Sequence, residues 1–282
     1  VSYFPIHGYL VFMRLHSSSY GTHGPALIIL HGLLGSSDNW HTVAKSLSDG
    51  RRVYALDARN HGRSPHDPLF TYQAMAEDVR EFMHAQGIES ATVLGHSMGG
   101  KTAMMLALDG RSPVSPLQSS ISHFPSSISS LIIVDIAPKP MKPGHDEILD
   151  AMRSIDFSVV KFRKDVDEAI RSRIPNATTR QFILKNLKVR EDGTFEWKLN
   201  LGAVFRSYEE ANRDIDSLKP YMGPTLFIRG ARSRYILDED VEKIQELFPR
   251  SRLATIPDAG HWVHAEAPEA FLEAVRKFLE DM

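Results

Sequence analysis

The stretch Ala91-Thr-Val-Leu-Gly-His-Ser-Met-Gly-Gly-Lys-Thr102 decides the reading of this chain, and it fits two patterns at once. Gly95-His-Ser97-Met-Gly99 satisfies G-x-S-x-G, in which a serine stands on a sharp turn between a strand and a helix. Gly95 through Thr102 also satisfies G-x-x-x-x-G-K-[ST], a loop that cradles phosphate. Both patterns want a strand before and a helix after, so the local context does not separate them. The strand ending at Asp135 even offers a magnesium-binding aspartate to the second.

What each pattern needs elsewhere does separate them. A serine on such a turn is inert without a base, an acid to orient that base, and donors for the oxyanion. His31-Gly32-Leu33-Leu34-Gly35 directly follows the apolar run Ala26–Leu30, where the backbone N–H of Leu33 can face a tetrahedral intermediate. The N–H of Met98, opening the helix after the serine, is the second donor. Gly260-His261-Trp262 follows the strand expected at Arg252–Ile256 and supplies an imidazole late in the chain. A phosphate loop would usually follow the first strand of its sheet, whereas this segment follows the fourth by the present reading. Ser97 is therefore read as a nucleophile and His261 as its general base, in a serine hydrolase. Lys101 and Thr102 then become ordinary residues of the first helical turns. A nucleotide hydrolase, or a binding protein on the same scaffold, are the alternatives.

The acid is less direct. The loop after the strand expected at Thr225–Ile228 reads Arg229-Gly230-Ala-Arg-Ser-Arg234, with no carboxylate where one is usual. Asp238 lies further on and looks like part of an acidic first turn of a helix. Asp135 ends the apolar run Leu131–Val134, at the edge where open parallel sheets build their sites. A carboxylate there carries a desolvation cost and needs a partner. Asp135 is the favoured acid, with Asp238 the alternative.

Outward from the motif, apolar runs alternate with stretches of helical spacing. Strands are expected near Leu10–Leu15, Ala26–Leu30, Arg52–Leu56, Ala91–Leu94, Leu131–Val134, Thr225–Ile228 and Arg252–Ile256. Helices are expected at Trp40–Leu47, Tyr72–Gln86, Met98–Leu108, Val241–Phe248 and Glu269–Leu279. This alternation predicts a mostly parallel, doubly wound α/β sheet. Residues 1–137 and 223–282 form its core, residues 138–222 a helical cap, and 111–130 a Ser/Pro-rich surface loop. Leu33, Leu34, Trp40 and Trp262 are candidates for the substrate pocket or for simple packing.

Composition narrows the classes. The 282 residues are 42% hydrophobic and 24% charged, with a formal net charge of -2. That balance gives no electrostatic reason to bind nucleic acid or anionic membranes. No apolar run approaches the roughly 20 residues of a membrane span. The absence of cysteine excludes disulfides, zinc-thiolate sites and a thiol nucleophile. His264 stands three residues after His261, but no zinc-type carboxylate or cysteine spacing accompanies the pair, so no metal site is expected. Arg59-Asn-His61-Gly-Arg63 reads as a hydrogen-bonded turn beneath the site, with contact to substrate the alternative. The His96 side chain is expected to point away from it. Asn176-Ala-Thr178 matches the glycosylation triplet, a frequent chance match.

The motifs His31-Gly-Leu-Leu-Gly-Ser, Asp57-Ala-Arg-Asn-His-Gly-Arg-Ser-Pro65, Gly95-His-Ser-Met-Gly-Gly-Lys-Thr-Ala103, Val134-Asp-Ile-Ala-Pro138 and Ala259-Gly-His-Trp-Val-His264 resemble the abhydrolase-domain-11 type of esterases. That resemblance covers nearly the whole chain outside 111–130. It implies an α/β-hydrolase fold of eight strands with a helical cap. It also implies esterase or thioesterase activity on small acyl substrates, and no metal or organic cofactor. The family's acid follows the sixth strand, which maps onto Asp135. Eukaryotic members imply a mitochondrial address, with a cytoplasmic one as the alternative.

Overall fold

A computed structural model describes residues 13–108, 127–140, 145–215, 217 and 219–282. Its central sheet contains β1 (Ser17–Tyr20), β2 (Ala26–Leu30), β3 (Arg52–Leu56), β4 (Ser90–His96), β5 (Ser127–Val134), β8 (Thr225–Gly230) and β9 (Ser251–Ile256). The spatial order is β1-β3-β2-β4-β5-β8-β9, with β1 antiparallel to β3 and every other pairing parallel. This is the α/β-hydrolase fold, with seven strands in the described sheet rather than eight. The first strand is also displaced. Met13 to His16 make no strand, and residues up to 12, where the expected one began, lie outside the described set.

The central strands are apolar almost throughout because both faces are covered. Alternation divides their side chains between two cores. Leu27, Ile29, Val53, Leu94, Ile132 and Ile228 meet α1 (His41–Leu47), the short α10 (Val263–Glu266) and α11 (Pro268–Glu280) on one face. Ile28, Leu30, Val93, Leu131, Ile133 and Phe227 meet α2 (Tyr72–Ala85), α3 (Met98–Ala107) and α9 (Val241–Leu247) on the other. Thr71 caps α2, its hydroxyl accepting from the Ala74 N–H. Pro268 opens α11, where its missing N–H costs nothing.

Strand β5 corrects one boundary. Ser127 to Ser130, expected in the surface loop, are its first four residues. Three serines in these four residues hid the strand, but Ser130 is buried and its hydroxyl pairs with that of Thr92 at 2.8 Å. The rest of the expected loop, 111–126, falls outside the described residues.

Between β5 and β8 the chain leaves the sheet. It forms α4 (Asp146–Arg153), α5 (Arg163–Ile170), α6 (Ala177–Leu184), α7 (Leu201–Arg206) and α8 (Tyr208–Ala211). The segment is not helical throughout. A hairpin of β6 (Leu187–Val189) and β7 (Phe195–Trp197) interrupts them. Its turn is Asp192-Gly193, where Gly193 takes φ 82° and the Asp192 carboxylate accepts from the Thr194 N–H and hydroxyl. Two asparagines tie this layer to the core. Asn186 donates to the Leu34 carbonyl at 2.8 Å, and Asn200 donates through backbone and side chain to Asn60 at 2.9 and 3.0 Å.

Candidate active site

Strand β4 passes into α3 through a single residue. Ser97 holds φ 52° and ψ -114°, a conformation that side chains rarely adopt and that the surroundings must enforce. A Cβ on Gly95 would run into the backbone of Gly99, and one on Gly99 into the Leu30 carbonyl. Closeness of helix to strand, rather than local flexibility, is what requires these glycines. A turn closed this tightly has no room to wrap a phosphate, which disfavours the phosphate-loop pattern on geometric grounds.

Asp135 sits just past β5, also at positive φ (51°), and is fully buried. Its Oδ2 lies 2.8 Å from Nδ1 of His261. The same oxygen accepts from the Ser233 hydroxyl, and Oδ1 accepts from the Gly230 N–H at 3.1 Å. The loop after β8, where a carboxylate was missing from the sequence, thus supplies donors to a carboxylate from the neighbouring strand. Asp238 is elsewhere, exposed and paired with Arg229 at 2.7 Å.

His261 is held from three sides. Its Nδ1 meets Asp135, its backbone carbonyl accepts from Nε2 of His96 at 2.9 Å, and the Tyr235 ring stacks on it at 3.8 Å. His96 therefore does not point away from the site, as expected; burial beside two further histidines keeps its pKa well below the usual value. Ser233 and Tyr235 carry no sequence motif, and only the fold brings them here.

The loop His31–Gly35 is pinned by two neutral imidazoles. His31 donates from Nδ1 to the Gly32 carbonyl at 2.8 Å and accepts the Ala58 N–H at Nε2 at 3.0 Å. His61 donates from Nδ1 to the Arg59 carbonyl and accepts the Leu34 N–H at Nε2 at 3.3 Å. Burial, with the neighbouring His31 ring acting in the same direction, drives the His61 pKa down to about 3. Arg59 in turn forms a two-pronged pair with Asp78, both contacts at 2.6 Å. The Arg59–Arg63 turn is the hydrogen-bonded support expected of it. Among the described residues nothing accepts the backbone N–H of Leu33 or of Met98.

Two clefts meet at Ser97. The first is lined by His261, Trp262, Leu34, Trp40 and Phe182, and Ser97 and Leu33 reach it as well. Leu34 and Trp40 are also core residues, and Trp40 stacks on His264 at 4.1 Å. Among the described residues no group of three acidic or histidine side chains could hold a metal ion. The second cleft is lined by Ser97, Leu33, Met98, Tyr72, Tyr208 and Lys101. Lys101, expected as an ordinary helix residue, is fully buried there. His145, at the start of α4, lines both clefts.

A family model described as the alpha/beta hydrolase fold matches residues 25–268. The chain belongs to the α/β-hydrolase family. Within it, the chain is similar to the Xenopus laevis sn-1-specific diacylglycerol lipase ABHD11, 41% identical over 91% of this chain and 80% of that protein. It is 35% identical to the Escherichia coli esterase YbfF over 90% of this chain and 93% of that one. A solved marine microorganism esterase superposes with a TM-score of 0.87 at 40% identity, covering 94% of this chain and 99% of that chain. These α/β-hydrolase relatives are ester hydrolases, and nothing among them favours a nucleotide hydrolase.

Proposed function

We propose that this chain cleaves carboxylic ester or thioester bonds of small acyl substrates through an acyl-enzyme on Ser97. The observation that carries the reading is the buried Asp135 carboxylate at 2.8 Å from Nδ1 of His261, whose ring shares a cleft with Ser97. Asp135 fixes the tautomer that leaves Nε2 free to take the serine proton. Ser97 Oγ then attacks the acyl carbon, and the carbonyl oxygen becomes an oxyanion held by the N–H groups of Leu33 and Met98. Each such donor contributes about 3–4 kcal/mol in comparable sites. His261 returns the proton to the departing alcohol or thiol. Water, deprotonated by the same imidazole, releases the acid and regenerates Ser97.

The proton must be delivered where His261 reaches, and His261 lines the first cleft but not the second. The leaving alcohol or thiol accordingly occupies the first cleft, against Leu34, Trp40 and Trp262, and the acyl group extends into the second.

A fluorophosphonate probe is expected to label the wild type, and Ser97→Ala to abolish both labelling and turnover of acyl esters. Undiminished labelling of the variant would refute the role of Ser97. Labelling without turnover of any acyl ester would favour a binding protein on the same scaffold. The mitochondrial address implied by the sequence resemblance belongs to the same proposal, and subcellular fractionation checks it.

A further inference from the structure

Lys101 takes no part in the ester chemistry, yet its side chain is buried at the second cleft beside the nucleophile. Its backbone N–H donates to the Ser97 carbonyl at 3.0 Å, so the two Cα atoms stand one helical turn apart, about 6 Å. An ammonium removed from water needs partners. The Arg213 carbonyl accepts one of its three protons, at 2.5 Å, and the Tyr72 ring lies 5.7 Å away. Among the described residues no carboxylate stands within ion-pair distance of it. Asp214, the acid whose charge it feels, gives its Oδ2 to Lys243 at 2.8 Å. Among the described residues, the other polar groups lining this cleft are the Ser97 hydroxyl, the phenols of Tyr72, Tyr208 and Tyr235, the Asn212 amide and the His145 ring, none of them a carboxylate. A positive charge ringed by hydroxyl and amide groups suits an incoming anion.

We infer that Lys101 selects the acyl group by receiving a carboxylate at its far end, so that the preferred substrates are monoesters or monothioesters of short dicarboxylic acids. This rests on the assignment of the acyl group to the second cleft under the proposed function. Ser97 and Lys101 line the same cleft, and a short chain such as a succinyl group would put its acyl carbon at the one and its carboxylate at the other. Hydrolysis then yields the dicarboxylic acid. A carboxylate in place compensates a charge that burial otherwise disfavours, whereas a neutral chain of equal length leaves it uncompensated.

Two succinyl and butyryl thioesters with the same thiol differ only in the terminal group, and their kcat/KM ratio reads the preference. The wild type is expected to favour succinyl. Lys101→Met, which keeps the length of the stem, is expected to lower the succinyl-to-butyryl ratio about 10- to 100-fold, the range of a hydrogen bond to a charged group. A ratio unchanged in that variant would reduce Lys101 to a clamp on the Arg213 carbonyl and overturn the inference. A second reading needs no variant. Burial, opposed in part by Asp214, draws the Lys101 pKa down to about 8. The ratio in the wild type should therefore fall as pH rises through about 8, because steps at His261 are common to both substrates and cancel. A ratio flat across that range, or turnover confined to long neutral esters, would overturn the inference while leaving the catalytic reading intact. No turnover of any ester or thioester would overturn both.

Discussion

Asp135 combines complete burial with a left-handed backbone, and each is tolerated because of what surrounds the carboxylate. Three donors converge on it, from Gly230, Ser233 and His261, so its charge is solvated by the protein instead of water. Replacing it by asparagine preserves the shape but lets His261 take the wrong tautomer; Asp135→Asn is expected to lower kcat by about 10⁴ with little change in KM. Steady-state kinetics on an activated ester would check this, and near wild-type turnover would remove Asp135 from the mechanism. Ser233→Ala deletes one donor to the same oxygen. A hydrogen bond to a charged group is worth about 1.5–3 kcal/mol, which predicts a fall in kcat of about 10- to 100-fold with the fold retained. A kcat equal to that of the wild type would make Ser233 a bystander. The serine was visible in the sequence only as a gap, since the pattern asked for an acid there. The loop had changed its role from supplying the carboxylate to holding it, and that exchange is written in the pairing of β5 with β8, not in either segment alone.

At the scale of elements, the junction of β4 and α3 depends on backbone approach. The contact of Gly99 with the Leu30 carbonyl brings α3 down onto the end of β2, and with it the Met98 N–H toward the loop that carries Leu33. Gly99→Ala must part the helix from the strand, and overpacking of this kind costs about 1–3 kcal/mol. We expect a lower urea midpoint together with a loss of activity larger than the stability loss explains; an alanine variant as stable and active as the wild type would show that the contact yields. Elements whose reading rested on unbroken apolar runs, such as β2 and β8, were legible from the sequence. Those built from polar residues were not. The start of β5 is Ser-Ile-Ser-Ser, and its membership in the sheet depends on a partner hydroxyl from Thr92. The β6–β7 hairpin was hidden inside charged sequence, although its Asp-Gly turn is a local signal that helical spacing alone overlooks.

Over the whole molecule, several histidines are buried in neutral form, and this links stability to pH. His61 and His264 are pushed down to about 3 and His145 to about 4, in each case chiefly by burial. In the unfolded chain they bind protons near 6.5, whereas the folded protein excludes those protons until the pH is far lower. Their contribution to stability is therefore complete above pH 6.5 and is lost as the pH falls from there toward 3. The slope approaches about 1.4 kcal/mol per pH unit for each histidine. Thermal melts should show Tm falling between pH 7 and 5, and His264→Phe, which keeps a ring against Trp40, should flatten part of the slope. A Tm constant over that interval would contradict the burial of these rings as neutral groups. Ser97 and His261 were readable as short motifs because their immediate neighbours carry the signal: the Ser97 turn needs glycine on either side, and His261 stands in a short Gly-His-Trp segment. Lys101 was spelled out in the same stretch as Ser97 but read as an ordinary residue of the first helical turns, since its burial at the second cleft is not a local property, and Tyr235 and His145 had no local signature because long-range packing alone puts them at the clefts.

The Asn186 side chain reaches from the layer above the sheet to the carbonyl of Leu34, the residue next to a proposed oxyanion donor, while Asn200 holds Asn60 just before His61. The upper layer thus braces the loop that carries the proposed oxyanion donor, beside the roof it is proposed to form over the substrate. Trimming it to widen access would slacken the backbone that must stay still while charge builds on the substrate oxygen. Variants made to accept bulkier esters should enlarge side chains' free space between these two asparagines' anchor points and leave the anchors themselves in place.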